Sequence, residues 1–378
     1  MVIKSPYDLD RFIGMEYFIT NTSGIGGKLR TFYEDFYVEE IISPKCKEGD
    51  YLYFILEKKN LDTLEAITKI AKKLRISKKR FSFAGNKDKR AWTKQIISVY
   101  KLKEEEIKKV NIPSIKIHVI GKGDKIKLGD AKGNFFRIII REIENVEEIE
   151  KTKIQLREYG IPNYFGYQRF GTTRPNTHLV GREIVNNNLK NAVLYYLGKP
   201  FETEGEKAYY ARKILENTMD YKLALNYFPK NLRYERAMLS HLVKHPRDYA
   251  GALRRIPLKL RKLLVHAYQS YLFNKVLSRM IGEEESIKNK KLQIIGYKSK
   301  LNEIEKEVLE EEGISKENFK IKSMPELSSP GTLRNACIEA NIEYEIKDDS
   351  CIFEFSLPKG SYATVILREF MKSDPLNY

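Results

Sequence analysis

Tyr51-Leu52-Tyr53-Phe54-Ile55-Leu56-Glu57 is an aromatic and aliphatic run, and in the stretch after it, Leu61 to Arg75, Leu64, Ile67, Ile70, Ala71 and Leu74 fall on one helical face. The pair predicts a strand followed by an amphipathic helix. Further along, Phe81 to Ala84 and Ile96 to Tyr100 read as short strands flanking the polar segment Gly85 to Gln95, whose Gly-Asn pair is turn chemistry. Phe135 to Arg141, FFRIIIR, is another strand, and Val146 to Tyr159 is a helix stopped by Gly160 with Pro162 just beyond. From about Thr172 to Pro330 the pattern turns mostly helical, with amphipathic stretches Leu258 to Ile281 and Leu301 to Glu312 stopped by Gly282 and Gly313. Strand signals return at Cys351 to Leu357 and Tyr362 to Leu367, separated by Pro358-Lys359-Gly360. The expected fold is α+β, a core interrupted by a helical insertion.

The 378 residues, 42% of them apolar, are enough for a large core and for two domains. Lys and Arg number 68 against 51 Asp and Glu, a formal charge of +17, which points to a polyanionic partner. A solvated basic face, or the Lys- and Glu-rich surface of a heat-adapted chain, accounts for the same number. Cys46, Cys337 and Cys351 form no CxxC pair, so neither a disulfide framework nor a zinc ribbon is written here, and a cytoplasmic protein is expected. The first residues, MVIKSPYDLDRFIG, lack the apolar stretch of a signal peptide, and no run approaches the ~18 apolar residues that span a bilayer, so no membrane role is expected.

Several tempting motifs fail. Gly24-Ile25-Gly26-Gly27-Lys28 lacks the phosphate-loop spacing and has Leu29 where the hydroxyl belongs, so a flexible turn is expected. His241 and His245 are four apart, but Leu242 stands where a zinc protease has Glu, and no metal is expected. There is no GxSxG elbow, no activating neighbour beside any cysteine, and no glycine-rich strand-to-helix turn for a nucleotide cofactor.

Two segments carry more information. In Gly85-Asn86-Lys87-Asp88-Lys89-Arg90-Ala91-Trp92-Thr93-Lys94-Gln95, three cations beside Asp88 favour the ionised carboxylate, which can act as a nucleophile. The plain alternative is an exposed charged turn. Pro162-Asn163-Tyr164-Phe165-Gly166-Tyr167-Gln168-Arg169-Phe170-Gly171 packs four aromatics between polar groups, and such a loop could stack a base and hydrogen-bond its edge. Its plain alternative is an aromatic plug in the core.

Together these blocks resemble the TruD family of RNA pseudouridine synthases. Residues 85–95 fit GxKDxxAxTxQ and residues 163–171 fit NYFGxQRFG. Glu34-Asp35-Phe36-Tyr37-Val38-Glu39-Glu40 looks like the family's P-E-D-F-x-V-x-E block, and Leu357 to Thr364 with Leu367-Arg368-Glu369 looks like LPxGSYAT followed by LRE. Ala267 to Asn274, AYQSYLFN, is similar to the helix of the family's insertion region.

The resemblance implies a pseudouridine synthase core, a mixed and largely antiparallel sheet flanked by helices, with a mostly helical insertion domain. Its implied borders are 1–172 and 336–378 for the catalytic domain and 173–335 for the insertion. It implies that Asp88 is the catalytic aspartate, that Phe165 stacks on a flipped uracil, and that Asn163 helps hold the aspartate loop and base. Arg30 would be the aspartate's basic partner, although Tyr33 replaces the family's proline and arginine its common lysine, with Lys28 two residues away. Lys87, Gln168 and Arg169 complete the expected substrate-binding set. The implied reaction breaks the glycosidic bond of uridine, turns the base and rejoins ribose C1′ to C5 with loss of the C5 proton, with no cofactor and no metal. The implied substrate is tRNA at position 13, and the protein is expected to be a monomer. A non-catalytic RNA-binding protein or tRNA chaperone retaining the fold is the alternative.

Overall fold

A computed structural model describes residues 2–378, and the chain divides into two compact units, each assembled from two stretches of sequence. One comprises Thr22–Ile161 and Glu339–Tyr378, the other Met1–Asn21 and Pro162–Ile338. Set beside the borders implied at 172 and 335, the helical unit also takes in the N-terminal stretch and the aromatic motif from Pro162 onward.

The first unit is built on a nine-stranded mixed sheet. Its main path runs Glu343–Lys347, Ser350–Pro358, Gly133–Ile143, Phe36–Ile41, Trp92–Tyr100, Tyr51–Lys59 and Ile115–Gly123, with Gly26–Leu29 added to Gly133–Ile143 and Phe81–Phe83 to Trp92–Tyr100. Every pairing is antiparallel except Phe36–Ile41 with Trp92–Tyr100, where Tyr37 lies against Trp92 and Glu39 against Lys94. Gly133–Ile143 holds the sheet together, since one of its edges carries Ser350–Pro358 and the other is shared by Gly26–Leu29 and Phe36–Ile41. It buries Phe136, Ile138 and Ile140 at every second position, the period a half-buried strand requires.

The helix Thr63–Leu74 covers part of the sheet, packing Ala66, Ile67, Ile70 and Ala71 against Leu52, Phe54, Leu56, Ile97 and Val99. The Asp62 side chain caps it by accepting from Glu65 N–H at 2.9 Å, and Arg75 closes it in the left-handed conformation. Leu64, expected on the buried face, is exposed: at 100° per residue it sits roughly a quarter turn from the centre of the 63-66-67-70-71 stripe. Tyr362 to Leu367 is not a strand either. Ala363–Met371 is a helix in which every residue is buried, so a β-branched composition gave a strand signal that burial on all sides overrides. Nor is Gly24 to Lys28 a flexible turn. Gly26–Leu29 is a strand, and a Cβ on Gly27 would fall 2.6 Å from the Ile140 side chain, so this glycine lets two strands approach.

The second unit is mostly helical, as the periodicity predicts. Its 25-residue helix Leu258–Gly282 packs on Thr177–Val185, and Gly181 makes the close crossing possible because a Cβ there would meet the Leu264 carbonyl oxygen at 2.1 Å. It also holds two short antiparallel strand pairs, Ile3–Lys4 with Tyr17–Phe18 and Lys291–Ile294 with Thr332–Asn335. Among the described residues no helix is long and apolar enough to cross a membrane.

Gly133 pairs with both Ile41 and Pro358, and a Cβ there would stand 2.1 Å from the Leu357 carbonyl oxygen, a backbone atom that cannot move aside. Gly133→Ala is expected to lower the unfolding free energy by about 1–3 kcal/mol. Gly85→Ala, with no neighbour within 4 Å, is expected to change it by less than about 1 kcal/mol. Urea unfolding midpoints of the two variants check the contrast.

Candidate active site

Asp88 lies on the loop that leaves Phe81–Phe83 and re-enters the sheet at Trp92. Those two strands pair directly, Phe81 with Val99 and Phe83 with Ile97, so the loop is pinned at its base. A short relay then fixes its interior. The Gln95 amide donates to the Gly85 carbonyl at 3.0 Å, and its own oxygen accepts from the Thr63 hydroxyl at 2.7 Å. Thr63 in turn accepts from the Lys87 N–H at 2.9 Å.

Two lysines finish the clamp. Lys58, fully buried near the end of its strand, donates to the carbonyl of Leu61 and, at 3.2 and 3.5 Å, to those of Asp88 and Lys87. Burial lowers its pKa to about 8, against the pull of Asp62 and Asp88 and with a further push from Lys87. The Lys87 side chain is only 10% exposed, and its ammonium donates to Glu40 at 3.0 Å and to the Asn134 side-chain oxygen at 2.8 Å. Glu40 and Asn134 face each other across adjacent strands, so one cross-strand pair grips the residue before Asp88.

Asp88 itself points outward, with 61% of its side chain exposed. Its carboxylate is reached by a terminal nitrogen of Arg30 at 3.6 Å. Arg30 is held in the left-handed backbone region at φ 55° and lays its guanidinium over the Phe36 ring, 4.1 Å from the centroid. Its Nε is buried and makes no hydrogen bond. Burial lowers the Arg30 pKa, Asp88 raises it, and Arg90 lowers it again. Arg90 bonds the Arg30 carbonyl at 3.0 Å, so the loop and the segment bearing Arg30 are tied on their outer side as well.

Asn163, Phe165, Gln168 and Arg169 belong to the other unit and form a cluster of their own. Phe165 is buried, with its N–H donating to the Asn274 side chain at 2.8 Å and its carbonyl accepting from the same amide at 3.0 Å. The Arg334 guanidinium lies 4.1 Å from the centre of the Phe165 ring, and Phe273 meets that ring edge-on at 5.5 Å. Arg334 also donates to the Asn163 carbonyl and, at 2.6 Å, to its side-chain oxygen, while the Asn163 amide donates to the Asn335 carbonyl. Arg169 bonds Ser270 at 2.9 Å and stands 5.5 Å from the Phe165 ring; Gln168 is half-buried beside it. Tyr164, Tyr167 and Phe170 are buried, with Tyr164 bonded to Ser278 and Tyr167 to Asp10. His241 is occupied by Asp248 and Arg255, and among the described residues no group of three or more acidic, His or Cys side chains is placed to hold a metal ion.

The model of the family tRNA pseudouridine synthase D (TruD) matches residues 12–293 and 290–370. The chain belongs to the TruD family. A Methanosarcina mazei protein named "Probable tRNA pseudouridine synthase D" is 38% identical over 98% of both chains, and one of the same name from Archaeoglobus fulgidus is 40% identical over 97% of this chain and all of its own. A crystal structure of a Methanosarcina mazei chain assigned to TruD superposes with a TM-score of 0.86 at 36% identity, covering both chains completely. As a TruD member the protein is an isomerase, a pseudouridine synthase.

Lys58, Thr63, Asn134, Asn274 and Arg334 were not singled out in the sequence. Four of them lie outside the sequence blocks that carry the resemblance and Asn274 only closes one, so no local pattern marks them, and only the fold brings them to the site. Because the Lys58 pKa falls on folding, the native chain binds fewer protons than the unfolded one between about pH 8 and the ordinary lysine range, so the contribution of Lys58 to stability rises with pH there. The stability difference between wild type and Lys58→Met is therefore expected to shift in favour of wild type by about 1–2 kcal/mol between pH 7.5 and 9.5. Urea unfolding of both proteins at the two pH values measures it.

Proposed function

We propose that this TruD member converts uridine to pseudouridine in tRNA, at position 13, with Asp88 as the catalytic carboxylate acting on a flipped uridine held by Phe165 and Asn163. The observation that carries the reading is the Arg30–Asp88 pair: an outward carboxylate, 3.6 Å from a buried guanidinium, on a loop whose backbone is clamped by Lys58, Thr63 and Gln95. An exposed charged turn would not need that support. Preorganising one carboxylate is what the reaction demands, because the glycosidic bond must break and re-form while the base stays bound.

The reaction needs no external co-reactant. The bond from C1′ to N1 breaks, the uracil turns, C1′ bonds to C5, and the C5 proton leaves. Asp88 can start this by attacking C1′, by adding to the ring, or by removing the ribose C2′ proton. Phe165 carries no hydroxyl, so the last proton goes to Asp88 or to a water. The excess of Lys and Arg grips phosphates, which gives binding a steep salt dependence. Arg334 backs the Phe165 ring and fixes Asn163, so platform and amide move together.

Tritium release from tRNA transcripts carrying [5-³H]uridine, with mapping of the modified position, tests this reading. Wild type is expected to release tritium from one D-arm uridine, and Asp88→Asn to lower the rate by at least about 10⁴-fold while leaving tRNA affinity within a few-fold. An Asp88→Asn enzyme with wild-type turnover overturns the assignment. In the same assay Arg334→Ala is expected to lower kcat/KM by about tenfold or more, since a ring and an amide lose their common support.

A further inference from the structure

Two residues from Arg30 the chain presents Phe32, an aromatic ring 56% exposed. A large apolar side chain so placed gains little from folding, yet the structure spends several interactions on fixing it. The Phe32 N–H donates to the Asp35 carboxylate at 2.8 Å, and the Asp35 N–H returns to the Phe32 carbonyl at 3.2 Å. Asp35 is buried, and Arg141 grips it through two nitrogens at 2.7 to 3.1 Å. The same Arg141 guanidinium lies 5.1 Å from the centre of the Phe32 ring. On the other side of Thr31, Arg30 is fixed by Phe36 and Asp88, and its carbonyl by Arg90. The ring is thus a rigid, solvent-facing apolar plate with a cation against it, at most about 7 Å of chain from the residue that pairs with Asp88.

We propose that Phe32 is a stacking platform for a nucleobase of the substrate RNA, the base adjacent to the uridine that reacts. This rests on the reading of Asp88 above. The surroundings select the occupant: the exposed Arg90, bonded to the Arg30 carbonyl, and the half-exposed Arg141 put guanidinium groups at this corner that suit a phosphate backbone, while the Phe32 ring offers the one kind of contact that every base accepts whatever its sequence. When a uridine leaves its stack, its neighbour loses a partner, and an aromatic ring in that position replaces part of the lost stacking. Phe32 therefore lowers the cost of extrusion without touching the reacting base.

The test uses the full-length enzyme and a tRNA transcript whose converted uridine has been mapped, together with two versions of that transcript carrying an abasic nucleotide immediately 5′ or 3′ of it. On the intact transcript Phe32→Ala is expected to raise KM about tenfold, with Phe32→Trp within about threefold of wild type and the melting temperature of both unchanged. On one of the two abasic transcripts wild type and Phe32→Ala are expected to become equal. The salt slope of binding is expected to stay the same in Phe32→Ala, which separates a stacking loss from a phosphate loss. Equal turnover and affinity of wild type and Phe32→Ala on the intact transcript overturn the proposal, as does a loss of the same size on all three RNAs. A wild-type enzyme inactive on every tRNA overturns the reading of the site beneath it, a result distinct from either.

Discussion

The buried pair between Lys87 and Glu40 is the interaction on which the arrangement around Asp88 depends. Glu40 comes from Phe36–Ile41 and its cross-strand neighbour Asn134 from Gly133–Ile143, and both spend a side-chain oxygen on the Lys87 ammonium. The Glu40 side chain is completely shielded, so an unpaired carboxylate there would be costly, and removing either partner of such a pair typically costs about 3–5 kcal/mol. The loop is in this way part of the sheet's own electrostatic balance. Lys87 is anchored inward on this pair while the next residue, Asp88, keeps its carboxylate exposed.

The same logic divides the positive charge of the chain. Lys58 and Lys87 are spent on carbonyls, a carboxylate and an amide inside the fold. Lys89 and Arg90 stay exposed beside Asp88. A KDKR run is therefore two kinds of cation with different work, and a count of +17 does not distinguish them. Lys58 shows the cost of the internal kind: its ammonium is held among three carbonyls at the expense of a pKa lowered by burial.

Much of this was legible in the sequence, where a local pattern carried the information. The strand at 51–57, the helix after it, the loop between two strands around Asp88 and the helical middle follow from periodicity and turn chemistry, and all four are present in the fold. Tyr362 to Leu367 misled because composition speaks for a strand while total burial makes a helix, and neither period is visible when every position is apolar or buried. Leu64 misled by lying at the margin of its stripe. The supports of the site were illegible for a different reason: Thr63, Asn134 and Arg334 act on residues 24, 47 and 171 positions away along the chain, separations at which one sequence gives no signal.

In the aromatic motif from Asn163 to Gly171 all four rings are buried, as the core-plug reading has it. Tyr164, Tyr167 and Phe170 are plugs, each buried, and the two tyrosines tie their hydroxyls to Ser278 and Asp10. Phe165 differs in its surroundings. Its backbone is held at both ends by Asn274, its ring is backed by Arg334, and that guanidinium is itself fixed on Asn163. A plug needs only apolar neighbours, whereas this ring also has its orientation fixed by a guanidinium locked by two hydrogen bonds. By filling the core on either side of Phe165 in sequence, the three buried rings leave its loop no slack.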